Sequence, residues 1–114
     1  MNTFSFVSPA AVLAAVLALA TPVAQAVDAD AAQALAKKNE CLKCHAIDKE
    51  KKGPSFKKIA AKYKGKADGE EKAIKNMTTG PKVKLDDGTE EEHKVINTKD
   101  PAALSNLAQW ILAQ

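Results

Sequence analysis

The chain has two cysteines, Cys41 and Cys44, and a histidine directly follows the second, so residues 41–45 read Cys-Leu-Lys-Cys-His. These three side chains admit four uses: a short disulfide, part of a zinc site, a redox dithiol, or the attachment of a haem. Each use demands a different fold around it. The compartment, the size of the core and the remaining ligand donors decide among them.

The N-terminus bears on the compartment. Residues 1–26 carry no Lys, Arg, Asp, Glu or His, and residues 10–20 are an unbroken run of Ala, Val and Leu. Thr21-Pro22 breaks any helix, and Ala24-Gln25-Ala26 has the small-x-small form that signal peptidases read. The run is well short of the about 20 apolar residues that a membrane span needs. The reading is a signal peptide over residues 1–26, cleaved near Ala26, although its start has no basic side chain. Export places residues 27–114 in the periplasm, with no stable membrane insertion after cleavage.

Residues 27–114 make one small domain, and at that size an apolar core is marginal without a staple. The large apolar side chains are few: Phe56, Tyr63, Trp110 and a modest set of Leu, Ile and Val. A metal or cofactor held by the cysteines would fill the centre. All 17 basic and 14 acidic residues fall in this part, and every basic one is Lys. Nucleic-acid readers favour Arg for its bidentate contacts to bases and phosphates, so no nucleic acid is expected. Lysines crowd residues 37–66, while acids gather at Asp86-Asp87 and Glu90-Glu91-Glu92. The basic run reads either as a solvated face or as a docking patch for an acidic partner.

Apolar spacing and breakers outline helices. Asp28 or Asp30 caps a first helix through residues 31–38, with Ala32, Leu35 and Ala36 on one face. Ser55 caps residues 56–63, where Phe56, Ile59, Ala60 and Tyr63 share a face and Gly65 ends the run. Asp68 caps residues 69–76, and Gly80-Pro81 stops that helix. Residues 82–99 differ: Val83 and Leu85 alternate with Lys, and Asp87-Gly88 signals a tight turn, so this stretch is a loop or a weak hairpin over 82–96. Asp100-Pro101 opens the last helix with a cap and an N1 proline. Leu104, Leu107, Ala108 and Ile111 form its apolar stripe, with Trp110 beside it.

A Cys41–Cys44 disulfide suits an oxidising compartment, but it closes a very short loop and leaves His45 without a role. A thioredoxin-like pair expects a βαβ setting, absent here. Zinc takes four ligands in a structural site; Cys41, Cys44, His45 and His93 meet the count, but adjacent Cys44 and His45 lack finger-like spacing. Haem attachment uses all three residues. The two thiols add to the two vinyl groups, the two-residue spacer lets the sulfurs reach both, and His45 turns its imidazole under the iron as proximal ligand.

"NECLKCHAID", followed by "KKGPSFKKIAAKYKGK" and the closing "NLAQWILAQ", resembles the short class I bacterial monohaem cytochromes c. The resemblance covers residues 28–76 and 100–114. It implies an all-α fold of about four helices around one covalent haem c, with thioethers at Cys41 and Cys44 and His45 as proximal ligand. It also implies that the Pro54 carbonyl accepts the proximal imidazole N–H, fixing the ring. The first and last helices would cross, with Leu35 against the Trp110-Ile111 region.

The departure from the family lies on the distal side. There the second axial ligand is usually a Met in a proline-rich loop shortly before the last helix, and this chain has no such loop. Its methionines are Met1, which leaves with the signal peptide, and Met77, in phase with Ala73 and Ile74 as a core residue would be. His93 lies seven residues before Asp100, close to the family's ligand loop. The expected distal ligand is His93, with Met77 the runner-up and an open site or another donor, Lys94 or Asn97, the remaining choice. The resulting expectation is a monomeric single-electron carrier, not an enzyme, that docks to acidic surfaces of redox partner proteins. The alternatives from other classes are a haem-based small-ligand sensor with a detachable His93, and a zinc or dithiol module.

Overall fold

The computed structural model describes residues 26–114 and, before them, Val16 alone. The expected signal peptide therefore falls, Val16 and Ala26 apart, outside the described residues. Four helices form where the apolar spacing puts them: α1 (Ala29–Lys38), α2 (Phe56–Tyr63), α3 (Gly69–Thr79) and α4 (Pro101–Leu112). Asp28 wins the cap of α1, its Oδ1 accepting the Ala31 N–H at 3.0 Å, and Asp30 falls in the first turn, where a carboxylate suits the helix dipole. Ser55 caps α2 through the Lys58 N–H at 3.1 Å, and Asp100 caps α4 through the Ala102 N–H at 3.0 Å.

The third helix departs from expectation at both ends. It runs to Thr79 rather than Asn76, and Gly80, at φ +61°, ends it. The Thr78 and Thr79 hydroxyls bond back one turn, donating to the Ile74 and Lys75 carbonyls, each at 2.8 Å. Asp68 stands at the N-terminus but its side chain caps nothing; it pairs instead with Lys72, one turn on, at 2.8 Å.

Between α3 and α4 the chain forms the hairpin, β1 (Lys82–Lys84) against β2 (Glu90–Glu92), antiparallel. Its register sets Lys82 opposite Glu92 and Lys84 opposite Glu90, so opposite charges face each other across the ladder. At the turn, Gly88 takes φ +85° and Asp87 Oδ1 accepts the Thr89 N–H at 2.9 Å. Two short strands are marginal alone. Anchors at their base hold them: the His93 N–H donates to the Pro81 carbonyl and the Ile96 N–H to the Met77 carbonyl, both at 2.8 Å.

The core lies where α1, α2 and α3 pack on α4, and the α1–α4 contact is the most extensive. Ala32 and Ala36 are small enough to let α1 close on Leu107 and Ala108, all four buried. Asn106, midway along α4, ties that helix to the start of α1, exchanging hydrogen bonds with the Asp28 backbone at 2.8 Å. Leu35 packs against the cluster that holds Trp110 and Ile111. Trp110 is itself buried, edge-on to Phe56 with ring centroids 5.4 Å apart. Among the described residues only Phe56 and Leu107 are both large and fully buried. At about 1.5–3 kcal/mol for each such side chain, the apolar core is thin. No helix among the described residues is long and apolar enough to cross a membrane.

Candidate haem-binding site

The site begins where α1 stops. Asn39 closes the helix, and Glu40 turns the backbone into the left-handed region at φ +60°. A single 3-10 turn follows over Cys41–Lys43. The Cys44 and His45 N–H groups both donate to the Cys41 carbonyl, at 3.2 and 2.9 Å, so the five-residue motif winds tightly on itself. Both thiols are half-buried and unbridged. Burial pushes the Cys41 thiol above its ordinary value. That is the reverse of the activated thiolate a redox dithiol requires.

The basic loop after the motif folds back onto it. The Gly53 N–H donates to the Cys44 carbonyl at 2.9 Å, the Phe56 N–H to Ala46 at 2.8 Å, and Lys51 Nζ to the Leu42 carbonyl at 2.6 Å. This fold-back builds the cradle of His45. Its Nδ1–H donates to the Pro54 carbonyl at 2.6 Å, the contact the family resemblance implies. Phe56 stacks on the ring at 5.4 Å and 24°. A Cβ at Gly53 would stand 3.0 Å from His45 Cε1 and 3.3 Å from the Cys44 carbonyl, so any larger residue would push the ring by a few tenths of an ångström. Burial lowers the pKa of His45, against the opposing pull of the Pro54 hydrogen bond. The ring is thus held neutral, with Nε2 carrying a free lone pair, as a metal ligand requires.

The hairpin delivers the second imidazole. His93 follows β2, and its Nδ1–H donates to the Lys94 carbonyl at 2.9 Å, which again leaves Nε2 as the available nitrogen. The His45 and His93 ring centroids stand 6.2 Å apart, tilted by 41°. Metal–imidazole bonds are about 2 Å and a ring nitrogen lies about 1 Å from its centroid, so two rings flanking one metal stand about 6 Å apart. Two thiols, a neutral proximal imidazole and a second imidazole at that separation suit a covalently attached haem. Two other candidate donors are engaged elsewhere: Met77 is buried among core residues that include Ala73 and Ile96, and the Lys94 ammonium pairs with Glu40. Among the described residues no three His, Cys, Asp or Glu side chains converge on a metal position, which counts against the zinc reading.

The cytochrome c family model matches residues 29–114. The chain belongs to the cytochrome c family. Its cofactor is one covalently attached haem c, and its fold is the helical class I cytochrome fold with a small two-stranded sheet added. The protein is 60% identical to the class 1 cytochrome MtoD of Sideroxydans lithotrophicus ES-1, with a TM-score of 0.74 over 77% of this chain and 97% of that one. The wild-type cytochrome c552 of Nitrosomonas europaea is 31% identical, with a TM-score of 0.55 over 70% of this chain and 95% of that one. A cytochrome c-551 of Pseudomonas aeruginosa is 37% identical over 68 residues, 60% of this chain and 65% of that relative. The match thus spans just under two thirds of that relative's length.

Charge around the site of this cytochrome is partly paired. Glu40 accepts from Lys43 at 2.7 Å and from Lys94, and these two, Lys43 first, hold its carboxyl down to about 2. Lys58 pairs with Glu50. At the hairpin tip the Asp87 carboxyl is lowered by the Thr89 hydroxyl and N–H, with Lys52 adding a smaller pull. Neither Asn39 nor Glu40 stands out in the sequence. "NEC" reads as an ordinary helix end followed by a motif, and only the left-handed turn at Glu40 and partners more than 50 residues away reveal their part.

Proposed function

We propose that this cytochrome is a periplasmic single-electron carrier whose haem is attached through Cys41 and Cys44 and ligated axially by His45 and His93. The observation that carries the reading is the pair of imidazoles 6.2 Å apart, each with Nδ1 committed to a backbone carbonyl. When bound, haem c supplies a one-electron ferric/ferrous couple. The chain's residues do the rest: Pro54 orients His45, Phe56 and Trp110 wall the proximal side from water, and the hairpin presents His93. In a cytochrome of this kind the haem carries the redox chemistry and the chain sets its potential and docking, so the protein is read as a carrier and not an enzyme. Imidazole is a stronger donor to ferric iron than a thioether, so the potential should lie below that of His/Met members of the family.

Docking falls to the surface around the motif. Leu42 and Ile47 are 40% and 42% exposed, among Lys43, Lys49, Lys51 and Lys52. This mixed apolar and cationic face suits acidic redox partners, met as a monomer. Rates with an acidic partner should fall steeply with salt. Neutralising Lys43, Lys51 and Lys52 together should slow association more than neutralising Lys82, Lys84 and Lys99.

Electron paramagnetic resonance and near-infrared spectra of the ferric protein test the ligands. His93→Ala should turn the spectrum toward high spin and open the iron to added imidazole, while Met77→Leu should leave it nearly unchanged. A methionine-to-iron charge-transfer band in the wild type, lost in Met77→Leu, would overturn the assignment. A second reading, a small-ligand sensor, draws support from the weak local hold on His93, whose Nδ1 partner is merely the next residue. Fast, tight carbon monoxide binding to the reduced protein would favour it; slow, weak binding favours the carrier.

A further inference from the structure

Glu40 is the only non-glycine among the described residues with a positive φ. Glycine takes that backbone without steric cost and a glutamate does not, so the side chain has to repay the strain elsewhere. What it makes there is a fork. One carboxylate oxygen accepts from Lys43, three residues on, and the other from Lys94, beside His93. Lys94 is gripped at both ends: its carbonyl takes the His93 Nδ1–H, and its ammonium reaches Glu40 next to Cys41. One residue earlier than Glu40, Asn39 is buried; its Nδ2 donates to the Leu35 carbonyl at 3.0 Å and its Oδ1 receives the Asn97 N–H at 2.7 Å. Residues 39–40 therefore lace the segment carrying His93 to the turn that carries the cysteines. The hairpin on the other side of His93 is short and mostly exposed, and offers little rigidity of its own.

We propose that Glu40 and Lys94 are positioning residues that hold His93 on the haem iron, their ion pair governing how readily the distal ligand lets go. The proposal rests on the bis-histidine reading. Glu40 and Lys94 are 45% and 56% exposed at their side chains, so their pair adds little to global stability. Its effect falls on a local equilibrium: a segment held at fewer points leaves its ligand position more often, and an outside ligand binds in proportion to that open fraction.

The experiment is stopped-flow binding of imidazole to the ferric holoprotein. Lys94→Met and Glu40→Gln should each raise the association rate about three- to tenfold. The double variant should go no further than either single one, since both remove the same pair. Lys94→Arg should restore the rate to within about twofold of wild type, because the guanidinium still reaches the carboxylate. Added salt should accelerate binding in the wild type and leave Lys94→Met unmoved. Rates in Glu40→Gln and Lys94→Met equal to wild type, with a bis-imidazole resonance spectrum in all three, would overturn the proposal and leave the ligand assignment standing. Lys43→Met speeding binding as much as Lys94→Met would also overturn it, by showing that Glu40 acts only within its own turn. A methionine charge-transfer band in the wild type would remove the bis-histidine reading and the proposal together.

Discussion

His45 and His93 each commit Nδ1 to a backbone carbonyl, but the two carbonyls stand in different company. The one facing His45 belongs to Pro54, behind Gly53, and the ring also stacks on Phe56, which sits in the core against Trp110. The one facing His93 belongs to Lys94, its immediate neighbour, and the surrounding hairpin is mostly exposed. The His45 ring is thus held by packing, which changes only if the core changes. The His93 ring is held near the surface by its neighbour's carbonyl, and the Lys94 side chain pairs with Glu40, contacts that salt, acid and single substitutions can reach.

The largest effect is expected at the attachment point. Replacing Cys41 and Cys44 with Ala should yield a chain that does not fold stably, because cofactor binding is part of folding energy where the core is this thin. Calorimetry of the purified variant checks it, and a cooperative melt near the wild-type temperature would show the core to be self-sufficient.

Next in size is the proximal wall. Phe56→Ala removes a 1% exposed ring and should cost about 3–5 kcal/mol in denaturant unfolding. A comparable loss from Val83→Ala, in the hairpin, would erase the distinction between the two sides.

Gly53→Ala sharpens the same contrast with a smaller effect. The new Cβ, 3.0 Å from His45 Cε1, should cost about 1–3 kcal/mol and shift the ferric resonance spectrum as the ring moves. Gly88→Ala, where a Cβ would meet nothing within 4 Å, should leave the spectrum alone and be penalised only through its φ of +85°.

The smallest effect is on acid stability, at Glu40, where the two regions meet. The Glu40 carboxyl is lowered from 4.5 to about 2, first by the Lys43 hydrogen bond and then by that of Lys94. A depressed carboxyl contributes stability that is fully present above its unfolded value and lost as pH falls through the folded one. The melting-temperature advantage of wild type over Glu40→Gln should therefore be constant above about pH 4.5 and shrink toward pH 2. An advantage that persists unchanged to pH 2 would mean that the charge on Glu40 plays no part in it.

Much of the proximal half is legible in the amino-acid sequence. Ser55 and Asp100-Pro101 announce helix starts because a cap bonds within its own first turn. Cys41, Cys44 and His45 declare their purpose because attachment chemistry needs that spacing. Legibility fails where local signals compete. Asp68 has the look of a cap, yet Lys72 on the next turn claims its carboxylate, and α3 runs on through Thr79 to the left-handed Gly80. The stretch before the last helix reads as loop or hairpin, since β1 alternates Lys with Val but β2 is three glutamates with no apolar residue to betray it.

By itself the sequence determined the short-range part: helices from apolar spacing and caps, the haem motif, and a thin core that calls for a cofactor. These depend on residues within a turn or two of one another, where chain geometry leaves few choices. Position in the sequence nominated His93, and the tertiary structure supplied the long-range meetings. It brought the rings of His45 and His93 to 6.2 Å, buried Met77 in the core, and joined Glu40 to Lys94. No periodicity encodes a meeting between residues about 50 positions apart. It follows from how α1 and α3 pack on α4 and how residues 93–97 bond to Pro81, Met77 and Asn39, a balance of many small contacts that settles only when the whole chain is folded.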